Sequence, residues 1–352
     1  MRIAILTSGG DAPGMNAAVR AIAVVGKSRG HEVFGIKNGY AGLLAGEWMS
    51  LEADAIEGIT RQGGTVLGSS RCLEMMQPGG PERVLDRLAE MRADGLIVIG
   101  GNGSLTGAHL LTSKGSIKTV GLPASIDNDV GHAGLAIGVD TAVNTIVDAC
   151  DRISDTARAH RRCFIVEVMG RNCGFLAMRA GIAAEADAIL YGEASLDETA
   201  LYKRLERMLS RCFAPGRTKK RALIVKSEGL AIPIMTLRSR VAEMLATIAP
   251  GVDVRETVLG HVVRGGDPTA LDRTIAQRLG FAAIVGLEHG LSDVMLGWEP
   301  PFGVGKETMD PSVRIIPLGE VLAETARLLD GTSPVIRRRM EMLAQVEEIL
   351  PG

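Results

Sequence analysis

Arg2-Ile3-Ala4-Ile5-Leu6-Thr7-Ser8-Gly9-Gly10-Asp11-Ala12-Pro13-Gly14-Met15 is the stretch from which the fold can be read. Residues 2–7 form a β-branched, apolar run of strand length, and from Met15 an amphipathic pattern carries on to residue 27. A buried strand that passes through a glycine turn into a helix opens a strand–helix–strand unit. Further strand-like runs fall at 32–36, 95–99, 118–122, 163–168, 188–191 and 222–225, and further helical ones at 81–91, 139–157 and 201–212. This alternation predicts an α/β chain with mainly parallel sheets flanked by helices.

At 352 residues the chain is long enough for two domains with separate cores. The expectation is two Rossmann-like domains, 1–138 with 259–312 and 139–258 with 313–352. The chain would cross between them more than once, with the active site in the cleft between them. The last forty residues, with Arg337-Arg338-Arg339, read as one helix ending the chain and serving packing or subunit contact. A net charge of -2 argues against a protein that coats nucleic acid. No apolar stretch reaches the roughly 18 residues of a membrane helix. The N-terminus reads as a strand rather than a signal peptide, so the expected location is the cytoplasm. The cysteines at 72, 150, 163, 173 and 212 lack metal-binding spacing and read as reduced thiols. Arg158, Arg161 and Arg162 bunch together, as do Arg217, Lys219, Lys220 and Arg221; a solvated face is the commoner meaning of such runs.

Ligands of open α/β sheets bind beyond the carboxyl ends of the strands, and the unusual polar sequences all follow strands. Gly9-Gly10-Asp11 follows the first, and its glycines allow backbone N–H groups close to phosphate oxygens. Gly100-Gly101-Asn102-Gly103-Ser104 repeats the device; by itself it reads equally well as a strand-to-helix turn with Ser104 as N-cap. In Ser125-Ile126-Asp127-Asn128-Asp129, an extended loop would turn both carboxylates to one side. One could then accept a proton from an attacking hydroxyl while the other positions ligand or metal. Arg162, Arg171, Arg255 and Arg264 flank strands or glycine turns, and guanidinium groups bind phosphate in bidentate fashion. His261 adds a further donor. Glycine turns, paired aspartates and scattered arginines together point to phosphoryl transfer. A nicotinamide oxidoreductase lacks support, because no G-x-G-x-x-G follows a strand.

From residue 2 to about 285 the sequence resembles the 6-phosphofructokinase family. The resemblance rests on Thr7-Ser8-Gly9-Gly10-Asp11-Ala12-Pro13-Gly14-Met15-Asn16-Ala17-Ala18, Gly63-Gly64-Thr65-Val66-Leu67-Gly68-Ser69 and Ile126-Asp127-Asn128-Asp129. It rests also on Val166-Glu167-Val168-Met169-Gly170-Arg171 and on Glu256-Thr257-Val258-Leu259-Gly260-His261 with Arg264-Gly265-Gly266. What it implies is transfer from ATP–Mg2+ to the 1-hydroxyl of fructose 6-phosphate in glycolysis. Asp127 would be the base, Arg171 would steady the phosphoryl group, and Ser125 would stand beside the base. Asp129, Met169, Gly170, Glu228, His261 and Arg264 would serve the sugar phosphate. Arg162 and Arg255 would reach its 6-phosphate from a neighbouring subunit, implying a homotetramer or homodimer with shared sites. Gly10, Tyr40, Arg71, Cys72 and Gly101, Asn102, Gly103 and Ser104 resemble the nucleotide side, in the first of the two domains.

Pyrophosphate users in the family carry Asp where this chain has Gly103, and Lys where it has Ala124. Both markers are missing, which favours ATP. Asn102 departs from the pattern, since ATP enzymes place an Asp there against magnesium, which prefers anionic oxygens. The ion could be held by phosphates, water and Asp129; activity could be reduced; or the donor or acceptor could have changed. The intact Asp127, Arg171 and arginine set favour the first. Val24 and Ser154 stand where allosteric relatives carry arginines, so weak or altered allostery is expected. The competing readings are a pyrophosphate-dependent or other sugar-phosphate kinase and, outside catalysis, a phosphate-binding regulatory subunit.

Overall fold

In a computed structural model, described for residues 1–194, 197–217, 221–301 and 303–347, the opening strand is central to its sheet. In chain order the first elements are β1 (Arg2–Ser8), α1 (Met15–Ser28), β2 (Glu32–Ile36), α2 (Gly39–Ala45), β3 (Trp48–Ser50) and α3 (Ala53–Ile56). Next come α4 (Gly80–Glu90), β4 (Gly95–Gly100), α5 (Asn102–Lys114), β5 (Lys118–Pro123) and α6 (Val139–His160). They are followed by β6 (Cys163–Val168), α7 (Phe175–Ala183), β7 (Ala188–Leu190), α8 (Glu198–Cys212), β8 (Ala222–Ser227), α9 (Ile234–Ile248) and β9 (Val254–Val258). The last are α10 (Ala270–Glu288), β10 (Val294–Trp298), β11 (Lys306–Glu307), β12 (Val313–Pro317), α11 (Leu318–Leu329) and α12 (Pro334–Glu347).

Internal contacts divide the chain into a first unit, Met1–Thr141 with Arg264–Arg327, and a second, Ala142–Val263 with Leu328–Gly352. Residues 313–327, which the sequence suggested for the second domain, fall in the first. The cause is β12, which pairs antiparallel with β10 inside the first unit's sheet. The tail is also two helices rather than one; Gly331-Thr332-Ser333-Pro334 ends α11 and restarts the chain as α12, with glycine and proline in their usual punctuating roles.

The first unit's sheet runs β11-β12-β10-β5-β4-β1-β2-β3, and the pairs among β10, β5, β4, β1 and β2 are parallel. β1 and β4 are apolar and buried on both faces, which explains their continuous apolar sequence. The chain winds one way from β1 to β2 and the other way to β4, so the switch point lies between β1 and β4. The loops after β1, β4 and β5 therefore lie side by side at the strands' carboxyl ends, where such folds bind ligands. The second unit's sheet runs β7-β8-β6-β9, all parallel, and sets the loops after β8, β6 and β9 side by side in the same way. No helix of the described residues is long and apolar enough to cross a membrane.

Candidate functional site

The first unit's three adjacent loops line a cavity of about 480 Å3. Its glycines are needed where side chains would collide. A Cβ on Gly100 would meet the Ser8 backbone carbonyl at 2.5 Å, whereas one on Gly10 would meet the flexible end of Arg264 at 2.8 Å, which can shift. Arg264 is held there by a 3.0 Å hydrogen bond from its guanidinium to the Asp11 carbonyl. The motif at residues 63–69 proves to be scaffold. Asn16 donates to the carbonyls of Gln62 and Gly63 and accepts from the Val66 N–H, and the Ser69 hydroxyl donates to the Gly9 carbonyl.

Helix α5 opens at Asn102, with Gly101 before it and no side chain capping its first turn. Ser104 is therefore not the N-cap; its buried hydroxyl sits 3.3 Å from where a Gly9 Cβ would be. An uncapped helix N-terminus facing a cavity is a favourable place for phosphate. Gly101, Asn102, Gly103 and Ser104 all line the cavity, as do Gly10, Arg71 and Cys72. Tyr40 lines it too, but its buried hydroxyl donates to the Ser104 carbonyl at 2.8 Å, and burial pushes its pKa up. It braces the loop from behind. The space beyond Gly103 is open, with no atom within 4 Å of an added Cβ.

Residues 125–128 form a turn rather than the extended run the sequence suggested. The Asn128 N–H donates to the Ser125 carbonyl at 3.3 Å, and Asn128 adopts the left-handed region at φ 49. Asn tolerates that conformation, and here its side chain bonds the Gly134 carbonyl and the Ala136 N–H. Both half-buried carboxylates, Asp127 and Asp129, nonetheless line the cavity with Ser125 and Arg264. The Ser125 hydroxyl donates to Asp129 Oδ1 at 2.8 Å, and Asn102 Nδ2 donates to Asp129 Oδ2 at 3.1 Å. No group of three or more His, Cys, Asp or Glu among the described residues could hold a metal alone. Two carboxylates on one cavity do fit magnesium that arrives on a polyphosphate, since this ion takes one or two carboxylates, phosphate oxygens and retained water.

In the second unit, the loop after β6 carries Met169, Gly170 and Arg171. Gly170 needs its freedom, with φ 127 and the Cys173 carbonyl 2.4 Å from an added Cβ. Ser227 and Glu228, at the end of β8, brace it: the Ser227 hydroxyl donates to the Gly170 carbonyl at 2.7 Å, and the Gly170 N–H donates to Glu228 Oε1 at 3.4 Å. Met169 is buried, while Arg171 is exposed and borders a second cavity of about 410 Å3 with Gly170 and Glu193. His261 is exposed on the 3-10 turn after β9. Arg162 and Arg255 converge on Asp253, at 3.9 and 2.6 Å. Beneath these loops Lys226, 1% exposed, pairs with Glu167 at 2.6 Å across β8 and β6.

Other basic residues have structural roles. Arg221 is buried beside Asp187, Arg158 pairs with Asp155, and Arg161 lies over Phe213. Lys219 and Lys220 lie outside the described residues. Arg20 and Val24 border a separate surface cavity with Lys27, Asp54 and Glu57, and Ser154 is buried on α6. Sequence reasoning missed Thr325, whose hydroxyl donates to Asn102 Oδ1 at 3.3 Å. No local signal could have found it, because the partners are 223 positions apart.

Comparison with known proteins gives one consistent result. A family profile described as phosphofructokinase matches residues 2–287. The ATP-dependent 6-phosphofructokinase of Thermotoga neapolitana is 46% identical over 297 residues, which are 84% of this chain and 89% of that protein. That of Cytophaga hutchinsonii is 40% identical over 332 residues, 94% of this chain and 98% of the relative. Among solved structures, the T-state phosphofructokinase of Pichia pastoris superposes with a TM-score of 0.86 at 30% identity, covering 99% of this chain and 39% of that one. Phosphofructokinase from Saccharomyces cerevisiae gives 0.84 at 30% identity, covering 97% of this chain and 50% of that one.

Proposed function

The chain belongs to the phosphofructokinase family, and from that premise we propose that it transfers the terminal phosphoryl group of ATP to the 1-hydroxyl of fructose 6-phosphate. The products are ADP and fructose 1,6-bisphosphate, a step of glycolysis. One observation carries the chemical part of this reading. Asp127 and Asp129 line the same cavity as the glycine turn after β1 and the uncapped N-terminus of α5, so base and phosphate cradle share one space.

Asp127 accepts the proton of the sugar hydroxyl as that oxygen bonds to the terminal phosphorus and the bond to the bridging oxygen breaks. Ser125 and Asn102 hold Asp129 beside it. The backbone N–H groups at the start of α5 receive phosphate charge, and Arg171 steadies the transferring group through its guanidinium. Asp129 would help hold magnesium brought with the nucleotide, which would supply further charge neutralisation. Met169, Gly170, Glu228, His261 and Arg264 hold the sugar phosphate. Arg162 and Arg255 serve the 6-phosphate of a neighbouring subunit's substrate, in a homotetramer or homodimer; their convergence on Asp253 supports this, because a phosphate dianion can take the place of one carboxylate. The cytoplasm is the fitting compartment.

ATP is the donor because the space an Asp side chain would fill at position 103 is open, and Ala124 is a buried methyl rather than a lysine. The test is initial-rate transfer from ATP–Mg2+ and from pyrophosphate–Mg2+ across a panel of sugar phosphates. Fructose 6-phosphate with ATP should give the highest kcat/KM. Faster turnover with pyrophosphate, or with a seven-carbon sugar phosphate, would replace this reading by its alternative.

A further inference from the structure

Asn102 is committed on both sides of its amide. Nδ2 donates to Asp129 Oδ2 at 3.1 Å and to the Asp129 carbonyl at 3.3 Å, while Oδ1 accepts from the Thr325 hydroxyl at 3.3 Å. Thr325, buried on α11, accepts in turn from the Gly131 N–H at 2.8 Å, which leaves its one proton for Asn102. The amide cannot be reversed, because that would set its oxygen against a carboxylate and its carbonyl dipole against a negative charge. With Ser125 on Oδ1, both oxygens of Asp129 then receive a protein donor.

We propose that Asn102 is a positioning residue for Asp129 and not a ligand of the divalent cation. A cation held directly by both side chains would have to sit where the N–H2 group meets the carboxylate, against the amide's positive end. A carboxylate at 102 would instead face Asp129 as a like charge and need a cation or proton between them. The amide relieves that repulsion with a neutral donor, and Thr325 stops it rotating. The loop is thus ordered without metal, and the ion enters on the nucleotide. This inference rests on reading the cavity as the nucleotide site.

The test is Mn2+ titration of the full-length, nucleotide-free protein by electron paramagnetic resonance, on native, Asn102→Asp, Asn102→Ala and Thr325→Val proteins. The native, Asn102→Ala and Thr325→Val proteins should show no site tighter than about 1 mM, whereas Asn102→Asp should gain one at least about ten-fold tighter. Mg2+ alone should raise the thermal midpoint of Asn102→Asp and leave that of the native protein unchanged. Asn102→Ala and Thr325→Val should each lower kcat about ten-fold. Native binding as tight as that of Asn102→Asp would overturn the proposal. So would an Asn102→Asp protein that binds no better than native, or Asn102→Ala and Thr325→Val proteins that keep the native kcat. The metal readouts require no turnover, so failure of transfer from ATP would sink the functional reading while leaving these results to be judged alone.

Discussion

The loops after β1, β4 and β5 and those after β6, β8 and β9 occupy equivalent places in their two sheets, yet they are made differently. The first set works largely by leaving side chains out. Gly100 stands where a methyl would collide with the Ser8 carbonyl, the side chains of Asn16 and Asn102 are bonded to neighbouring loops, and Ser125 is bonded within its own. The second set carries its chemistry on the exposed side chains of Arg171 and His261, over a sheet braced by the buried Lys226–Glu167 pair. A donor cradle built from backbone must be ordered by its scaffold, whereas charged arms can be ordered by the phosphate they bind.

The largest effect that would sharpen this contrast is expected at Lys226. Lys226→Ala leaves Glu167 without its cation, and denaturant unfolding should show a loss of about 3–5 kcal/mol. A loss under about 1 kcal/mol would mean that the second unit's loops do not depend on that pair. Arg162→Ala should raise the KM for fructose 6-phosphate roughly ten- to hundred-fold with little change in kcat, as for a lost charged hydrogen bond of ~1.5–3 kcal/mol. An unchanged KM would remove Arg162 from the sugar side. Gly103→Asp should fold normally, since nothing lies within 4 Å of the new Cβ. Its kcat/KM for ATP should fall about ten-fold through charge repulsion with phosphate. Unaltered ATP kinetics would show that the open space is not the phosphate site.

The smallest effect lies on the scaffold of the first unit. Glu288 is held down to about 2 by its hydrogen bonds to Arg29, with His31 adding to the effect. A carboxylate with a lowered folded pKa stabilises above its unfolded value, about 4.3, and loses that contribution as pH falls towards 2. The thermal-midpoint difference between native and Glu288→Gln proteins should therefore be full above pH 5 and vanish near pH 2. A difference that grows on acidification would contradict that sign.

Legibility in the sequence followed the same divide. The buried parallel strands β1, β4, β5, β6 and β8 announce themselves as apolar runs, because both faces are covered. β9 was not legible, since Arg255 and Glu256 interrupt it at the sheet edge, and β12 is a short strand containing Arg314 and ending in Pro317. The start of α5 at Asn102, ahead of Ser104, was hidden because Asn102-Gly103-Ser104 favour turns until the sheet fixes the helix start. The motif residues could be picked out, but not what holds them. The brace from Tyr40 and the hold of Thr325 on Asn102 depend on long-range packing, and the left-handed turn at Asn128 on partners six and eight residues along the chain.

Asp127 is where these readings meet, and Asp127→Ser tests them most directly, with turnover and fructose 6-phosphate binding measured on the same preparation. Removal of the base should lower kcat by about 10²- to 10⁴-fold while the dissociation constant for the sugar phosphate changes little. Turnover within a few-fold of native would contradict the assignment of Asp127 as the base in the first unit's cavity.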